Sequence, residues 1–96
     1  MLVDVPGRTT ALTKGIGSAR TALPGDSFHV RNDWGTDDYG GAYPPAGDRA
    51  HRYYYVVHAV DVASLGVDRT ATPAVVAGNL AFHTLARAQL VVTFER

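Results

Sequence analysis

YGGAYPPAGDRAHRYYYVVHAVD, residues 39 to 61, joins two unlike pieces of chain. Tyr39 to Ala50 carries three glycines and a proline pair, the composition of a turn that must bend sharply and then be held stiff. Arg52 to Asp61 is a run of Tyr, Val and His, residue types that suit a pleated, packed surface. Alternation places His51, Tyr53, Tyr55, Val57 and Ala59 on one face and Arg52, Tyr54, Val56, His58 and Val60 on the other. Both faces are largely apolar, so this strand is expected in the middle of a sheet.

Weaker signals lie on either side. Leu2 to Val5 reads as a short strand closed by Pro6 and Gly7, and residues 8 to 35 are mostly coil, broken by the alternating patch Ser27 to Arg31. So long a loop in a small domain is usually functional. Thr72 ahead of Pro73 is a helix start: a capping oxygen, then a residue that needs no amide hydrogen. The spacing predicts a helix from about 73 to 85, with Gly78 as a weak point costing about 1 kcal/mol against alanine. Gln89 to Glu95 supplies a closing strand. The expected fold is mainly β with one or two short helices, residues 1 to 96 forming one domain.

Bulk properties narrow the function. The chain has 96 residues, 46% of them hydrophobic, and nine basic residues balance nine acidic ones. That is enough for one modest core, and it leaves no basic field to hold nucleic acid or an anionic membrane. There is no cysteine, hence no disulfide or thiolate metal site. The first residues show no basic segment followed by an apolar run of about 7–15 residues, and no stretch approaches the roughly 18 apolar residues of a membrane span. A cytoplasmic protein without a transmembrane segment is expected.

His51 and Tyr53 are the foremost candidates for chemistry. Two residues apart on a strand, they point the same way and can offer an imidazole and a phenol to one small ligand. Gly40, Gly41 and Gly47 would let the backbone approach it, and Pro44 and Pro45 would stiffen the rim. An anion suits such a site. The competing reading is an ordinary turn, with His51 and Tyr53 satisfied at the core edge. His29, His58 and His83 show neither metal-ligand spacing nor carboxylate partners and are expected to be structural. Arg52 faces away from His51 and is expected to pair with an acid. Ser18, Ser27 and Ser64 lie in no nucleophile motif. Gly15 to Ser18 reads as a flexible turn, and Asp33, Asp37 and Asp38 as turn formers. No cofactor is indicated.

Taken in order, Asn32-Asp33, Tyr39-Gly40-Gly41, Pro44-Pro45, Gly47, His51-Arg52-Tyr53, Ala59-Val60-Asp61 and His83-Thr84-Leu85-Ala86 form a pattern. It resembles the phosphatidylethanolamine-binding protein family, in its bacterial Raf-kinase-inhibitor-like branch, over nearly the whole chain. The resemblance implies a large antiparallel sheet with a smaller one and a shallow pocket for phosphate or a phosphorylethanolamine head group. It implies a binding or regulatory protein rather than an enzyme. By the same resemblance His51 and Tyr53 match the pocket histidine and tyrosine, and Gly41, Pro44 and Pro45 match the pocket wall.

Two departures accompany it. Ala42 stands where the family has a proline, which softens the rim. The family's D-P-D-x-P and G-x-x-H-W segments, source of the pocket aspartate and second histidine, precede the region matched here, so the chain is expected to represent the carboxy-terminal part of the domain. The first reading is a non-enzymatic module with an incomplete small-anion pocket. The alternative is an interaction or assembly protein whose sheet associates with itself or with a complementary amino-terminal half and binds no ligand. A hydrolase with His51 as base lacks a nucleophile. Expected partners are thus a small anion or phospholipid head group and either a second copy or a complementary fragment.

Overall fold

The fold is that of a computed structural model covering residues 1 to 96. Its elements are β1 (Leu2–Val3), β2 (Phe28–His29), β3 (His51–Val60), α1 (Pro73–His83) and β4 (Thr84–Phe94), arranged as two two-stranded antiparallel sheets, β1–β2 and β3–β4. The mainly β architecture with one short helix follows the expectation.

β3 and β4 form a long ribbon whose register runs from His51 opposite Phe94 to Val60 opposite Thr84, with an irregularity between Ala59 and Val60. Residues opposite one another in an antiparallel ladder share a face. His51, Tyr53, Tyr55, Val57 and Ala59 are therefore joined by Phe94, Val92, Leu90, Ala88 and Ala86, a wholly apolar contribution from β4. Arg52, Tyr54, Val56 and His58 are joined by Thr93, Val91, Gln89 and Arg87, a more polar set. The expected central position of β3 is not what the chain itself builds: β3 pairs with β4 alone, and its other edge is free. Ninety-six residues contain no further strand long enough to flank it.

Thr72 caps α1 as its sequence demands, accepting a bond from the Val75 amide at 3.3 Å, with Pro73 at the first helical position. Gly78 lies within an unbroken helix, which ends two residues before the expected 85. The reason is a latch across the end of β3. His83 Nδ1 lies 2.8 Å from Asp61 Oδ1, and the Asp61 amide donates to the His83 carbonyl at 3.1 Å. Thr84 then turns extended (φ −72°, ψ 120°) and begins β4 directly, five residues earlier than the expected 89.

The core lies beside the ribbon. Val3, Phe28, Val30, Leu65 and Val76 form its buried cluster, with Val62, Val67, Ala71 and Leu80 partly buried against it. β1 stops at Val3 rather than Val5 because Asp4 adopts a left-handed φ of 58°. That turn aims its carboxylate at the chain beyond β3, where it accepts from Ser64 Oγ and the Leu65 amide, both at 2.8 Å. One aspartate thus stitches together segments 60 residues apart.

Only eight of the 96 residues are buried, and nine of the seventeen exposed large apolar residues lie on β3 and β4. Val57 is 68% exposed and Leu90 62%. The ribbon is therefore open on both faces, which bears directly on what this protein meets.

Candidate functional site

The loop ahead of β3 is tied down at both ends. On its amino-terminal side the Tyr39 amide donates to the Gly17 carbonyl at 2.8 Å, and the Asp38 carboxylate accepts from the Ala19 amide. Asn32 organises the chain in between, its Oδ1 accepting from the Trp34 and Thr36 amides at 3.0 Å and its Nδ2 donating to the Asp38 carbonyl at 2.7 Å. Asp33, Asp37 and Asp38 thus sit in a turn, as their composition suggests. Gly17 is required by contact: a Cβ there would stand 2.7 Å from Tyr39 Cβ. The segment Gly15 to Ser18, read as a flexible turn, is the anchor of the loop.

On the other side, the loop meets the end of the chain. Arg96 Nε donates to the Pro44 carbonyl at 2.6 Å, and its guanidinium lies 3.7 Å from the Tyr43 ring centroid. The Gly47 amide donates to the Arg96 main-chain oxygen at 3.2 Å. Pro44 is fully buried beneath these contacts. Gly41 and Gly47 have φ of 77° and 87°, the left-handed region in which a side chain would be strained.

The loop lies on the His51 face of β3. The Tyr39 hydroxyl lies 2.7 Å from that of Tyr55, with the rings edge to face at 6.1 Å. The bond to Tyr55 favours the protonated phenol and, with partial burial and the neighbouring phenols of Tyr55 and Tyr53, pushes the Tyr39 pKa up to about 12. Tyr53 is half-buried between His51 and this pair along the strand. His51 is exposed, and its Nε2 lies 3.2 Å from Asp48 Oδ2. The candidate residues His51, Tyr53, Gly41, Pro44 and Pro45 therefore belong to one loop-and-strand unit. Three contributors escaped the sequence reading. Tyr39, although part of the Tyr39-Gly40-Gly41 string, and Arg96 act through long-range contacts that local sequence does not show. Asp48, three residues before His51, is near enough in sequence for spacing alone to signal the pair.

The remaining candidates are committed elsewhere. His29 Nε2 contacts the Ile16 carbonyl at 3.0 Å, and His58 Nδ1 contacts Thr84 Oγ1 at 3.1 Å. His83, expected to lack a carboxylate partner, has Asp61, 22 residues away. Arg52, expected to pair with an acid, makes no ion pair; those present are His51–Asp48 and His83–Asp61. Ser27 Oγ donates to the Pro24 carbonyl and Ser64 Oγ to Asp4, while Ser18 Oγ accepts from the Arg20 amide. An apolar hollow of about 530 Å³ lies away from the loop, between the amino-terminal segment, β3 and α1, with Val3, Val56, Val60, Val76 and Leu80 in its wall.

Residues 1–95 match the phosphatidylethanolamine-binding protein family. The chain belongs to that family. It is similar to the UPF0098 protein YbhB of Escherichia coli, 39% identical over 95 residues, which are 99% of this chain and 60% of YbhB. It is 33% identical to UPF0098 protein YbcL of the same organism, over 98% of this chain and 52% of YbcL. The crystal structure of YbcL, described as a new member of the mammalian PEBP family, superposes with a TM-score of 0.85 at 31% identity, covering 99% of this chain and 58% of that one. The family member described here thus spans between half and three-fifths of the length of these relatives. Its α1 is not long and apolar enough to cross a membrane.

Proposed function

We propose that residues 1 to 96 form one non-enzymatic binding unit that holds a small oxyanion, such as phosphate or a phosphorylethanolamine-like head group, against His51 and Tyr53. The observation that carries this reading is the ligand loop itself: anchored at Gly17 and Arg96, it is joined through Tyr39 and Tyr55 to the strand face that bears both side chains. His51 would donate a hydrogen bond to an anion oxygen, Tyr53 would add its hydroxyl and ring face, and Gly41, Pro44 and Pro45 would form the wall. Family membership supports a binding role, and the committed serines offer no nucleophile to His51. In this reading the protein works in the cytoplasm.

Affinity is expected to be weak, about millimolar or roughly 4 kcal/mol, because the family's aspartate and second-histidine segments have no counterpart among these residues. Titration with phosphate, followed by the His51 ring signals in NMR, tests the reading. The Tyr53 ring signals should move with them, and His51→Ala should abolish that Tyr53 response. Ring signals unmoved at saturating phosphate would remove the proposal.

The open ribbon favours a second reading, an assembly module whose sheet is completed by another polypeptide while the loop binds nothing. Nine exposed large apolar residues on β3 and β4 support it, as does the additional length of the relatives. The two readings separate by experiment: phosphate moves His51 in the first, whereas only protein concentration matters in the second.

A further inference from the structure

We propose that Arg96 is the positioning residue of the ligand loop, an inference that rests on the anion-binding reading of His51 and Tyr53. Phe94 stands opposite His51 in the ladder, so Arg96, two residues on, lies just beyond the His51 end of the ribbon. From there it makes three contacts to the rim. Nε donates to the Pro44 carbonyl at 2.6 Å, the guanidinium lies over the Tyr43 ring at 3.7 Å, and the main-chain oxygen accepts from Gly47 at 3.2 Å. Two of the three require a guanidinium. Its plane can cover an aromatic ring while its edge donates to a carbonyl, and an ammonium cannot do both in that geometry.

The need for such a clamp follows from the loop's composition. Residues 39 to 50 contain three glycines, two of them with left-handed φ, and Ala42 stands where the family resemblance leads one to expect a proline. Glycines widen the range of conformations open to the free loop, so holding it in one form near His51 depends on contacts from outside it. At the Tyr39 end these come from Gly17 and Tyr55; at the Pro44–Gly47 end they come from Arg96. Arg96 need not touch the anion to govern its binding.

The experiment compares wild type, Arg96→Ala and Arg96→Lys by amide exchange at Gly47, by the Tyr43 ring signals, and by phosphate titration at His51. Arg96→Ala should speed Gly47 exchange about tenfold and shift Tyr43, with the Tyr54 to Val57 amides unchanged. It should weaken phosphate binding about five- to tenfold. Arg96→Lys keeps the charge and should recover less than half of either effect on a logarithmic scale. Full recovery by lysine would mean that Arg96 acts only as a distant cation, overturning the proposal. Gly47 exchange and Tyr43 signals untouched in Arg96→Ala would overturn it as well. If wild type itself ignores phosphate, the anion-binding reading fails, and with it a ligand-positioning role for Arg96; Gly47 exchange then reports only whether Arg96 holds the loop.

Discussion

The hydroxyls of Tyr39 and Tyr55 lie 2.7 Å apart, joining the loop to the face of β3 that also carries His51 and Tyr53. The bond has a pH signature. Tyr39 is held protonated, its pKa raised from 10.0 to about 12, first by the hydrogen bond to Tyr55 and then by burial and the nearby phenols. A folded pKa above the unfolded one means that the contribution to stability is intact below about pH 10 and lost as pH rises towards 12. The effect is small, since Tyr39 is 55% exposed and screened by solvent. Ultraviolet titration should reveal one tyrosine ionising well above the others, and Tyr55→Phe should bring it back towards 10. A tyrosine still ionising well above the others in Tyr55→Phe would exclude the bond as the cause.

Asp48 places a carboxylate 3.2 Å from His51 Nε2, where an incoming oxyanion would want to sit. Both partners are well exposed, so the contact itself stabilises little. Its effect on a ligand is competition: one negative group must yield before another can approach. Asp48→Asn should therefore tighten phosphate binding about two- to fivefold, read from the His51 titration. Weaker binding in the variant would show that Asp48 orients the imidazole instead of competing for it.

Gly17 and Gly40 make a matched pair for testing how the loop is anchored. A methyl at Gly17 would meet Tyr39 Cβ at 2.7 Å, whereas a methyl at Gly40 meets nothing within 4 Å. Gly17→Ala should lower stability by about 1–3 kcal/mol through overpacking, and Gly40→Ala should stay within about 0.5 kcal/mol of wild type. Urea unfolding midpoints decide. Equal midpoints would mean that the loop detaches from Gly17 without cost.

The structure also orders local stabilities. Residues 8 to 26 are held mainly by short-range turn bonds, such as Ile16 to Thr13 and Thr21 to Ser18, while β3 is laddered to β4 along its length. Amide exchange should be fast over 10 to 24 and slow over 53 to 60. Equal protection in the two regions would contradict this organisation.

What the sequence disclosed and what it hid divide along the range of the interactions. Thr72-Pro73 specifies the start of α1 because a cap and a proline act within one turn, and the Tyr–Val run specifies β3 because strand residues report their own surroundings. The end of α1 falls at His83, short of the expected 85, because Asp61, 22 residues away, holds it there. β1 stops early because the carboxylate of Asp4 reaches Ser64 and Leu65, and nothing in Leu2 to Val5 announces that. His51 and Tyr53 were visible as a pair through strand periodicity, and the glycine and proline pattern marked the loop. Its fastening by Gly17 and Arg96 depends on tertiary approach, and so stayed hidden. The central position expected for β3 does not occur: its two apolar faces ask for two partner strands, and the chain supplies one.

On the His51 face, Val57 and Leu90 are 68% and 62% exposed, and Tyr54, Val56 and Val91 are exposed on the other. β3 and β4 each keep a free edge of unpaired peptide groups, a ready template for another strand. Apolar faces and open edges on the same ribbon favour a partner that both extends the sheet and covers it, either a second copy of this chain or a polypeptide resembling the rest of the longer relatives. Such an interface would be obligate in character, about 2,000 Å² or more in total, rich in Val, Tyr and Leu. Folding and association would then share one equilibrium, so the thermal midpoint should rise with protein concentration. Leu90→Lys should weaken that dependence by putting a charge on the covered face, while His51→Ala should preserve it. Light scattering that finds a monomer at micromolar concentration, together with a sharp melt independent of concentration, would show that the five-residue core of Val3, Phe28, Val30, Leu65 and Val76 suffices alone.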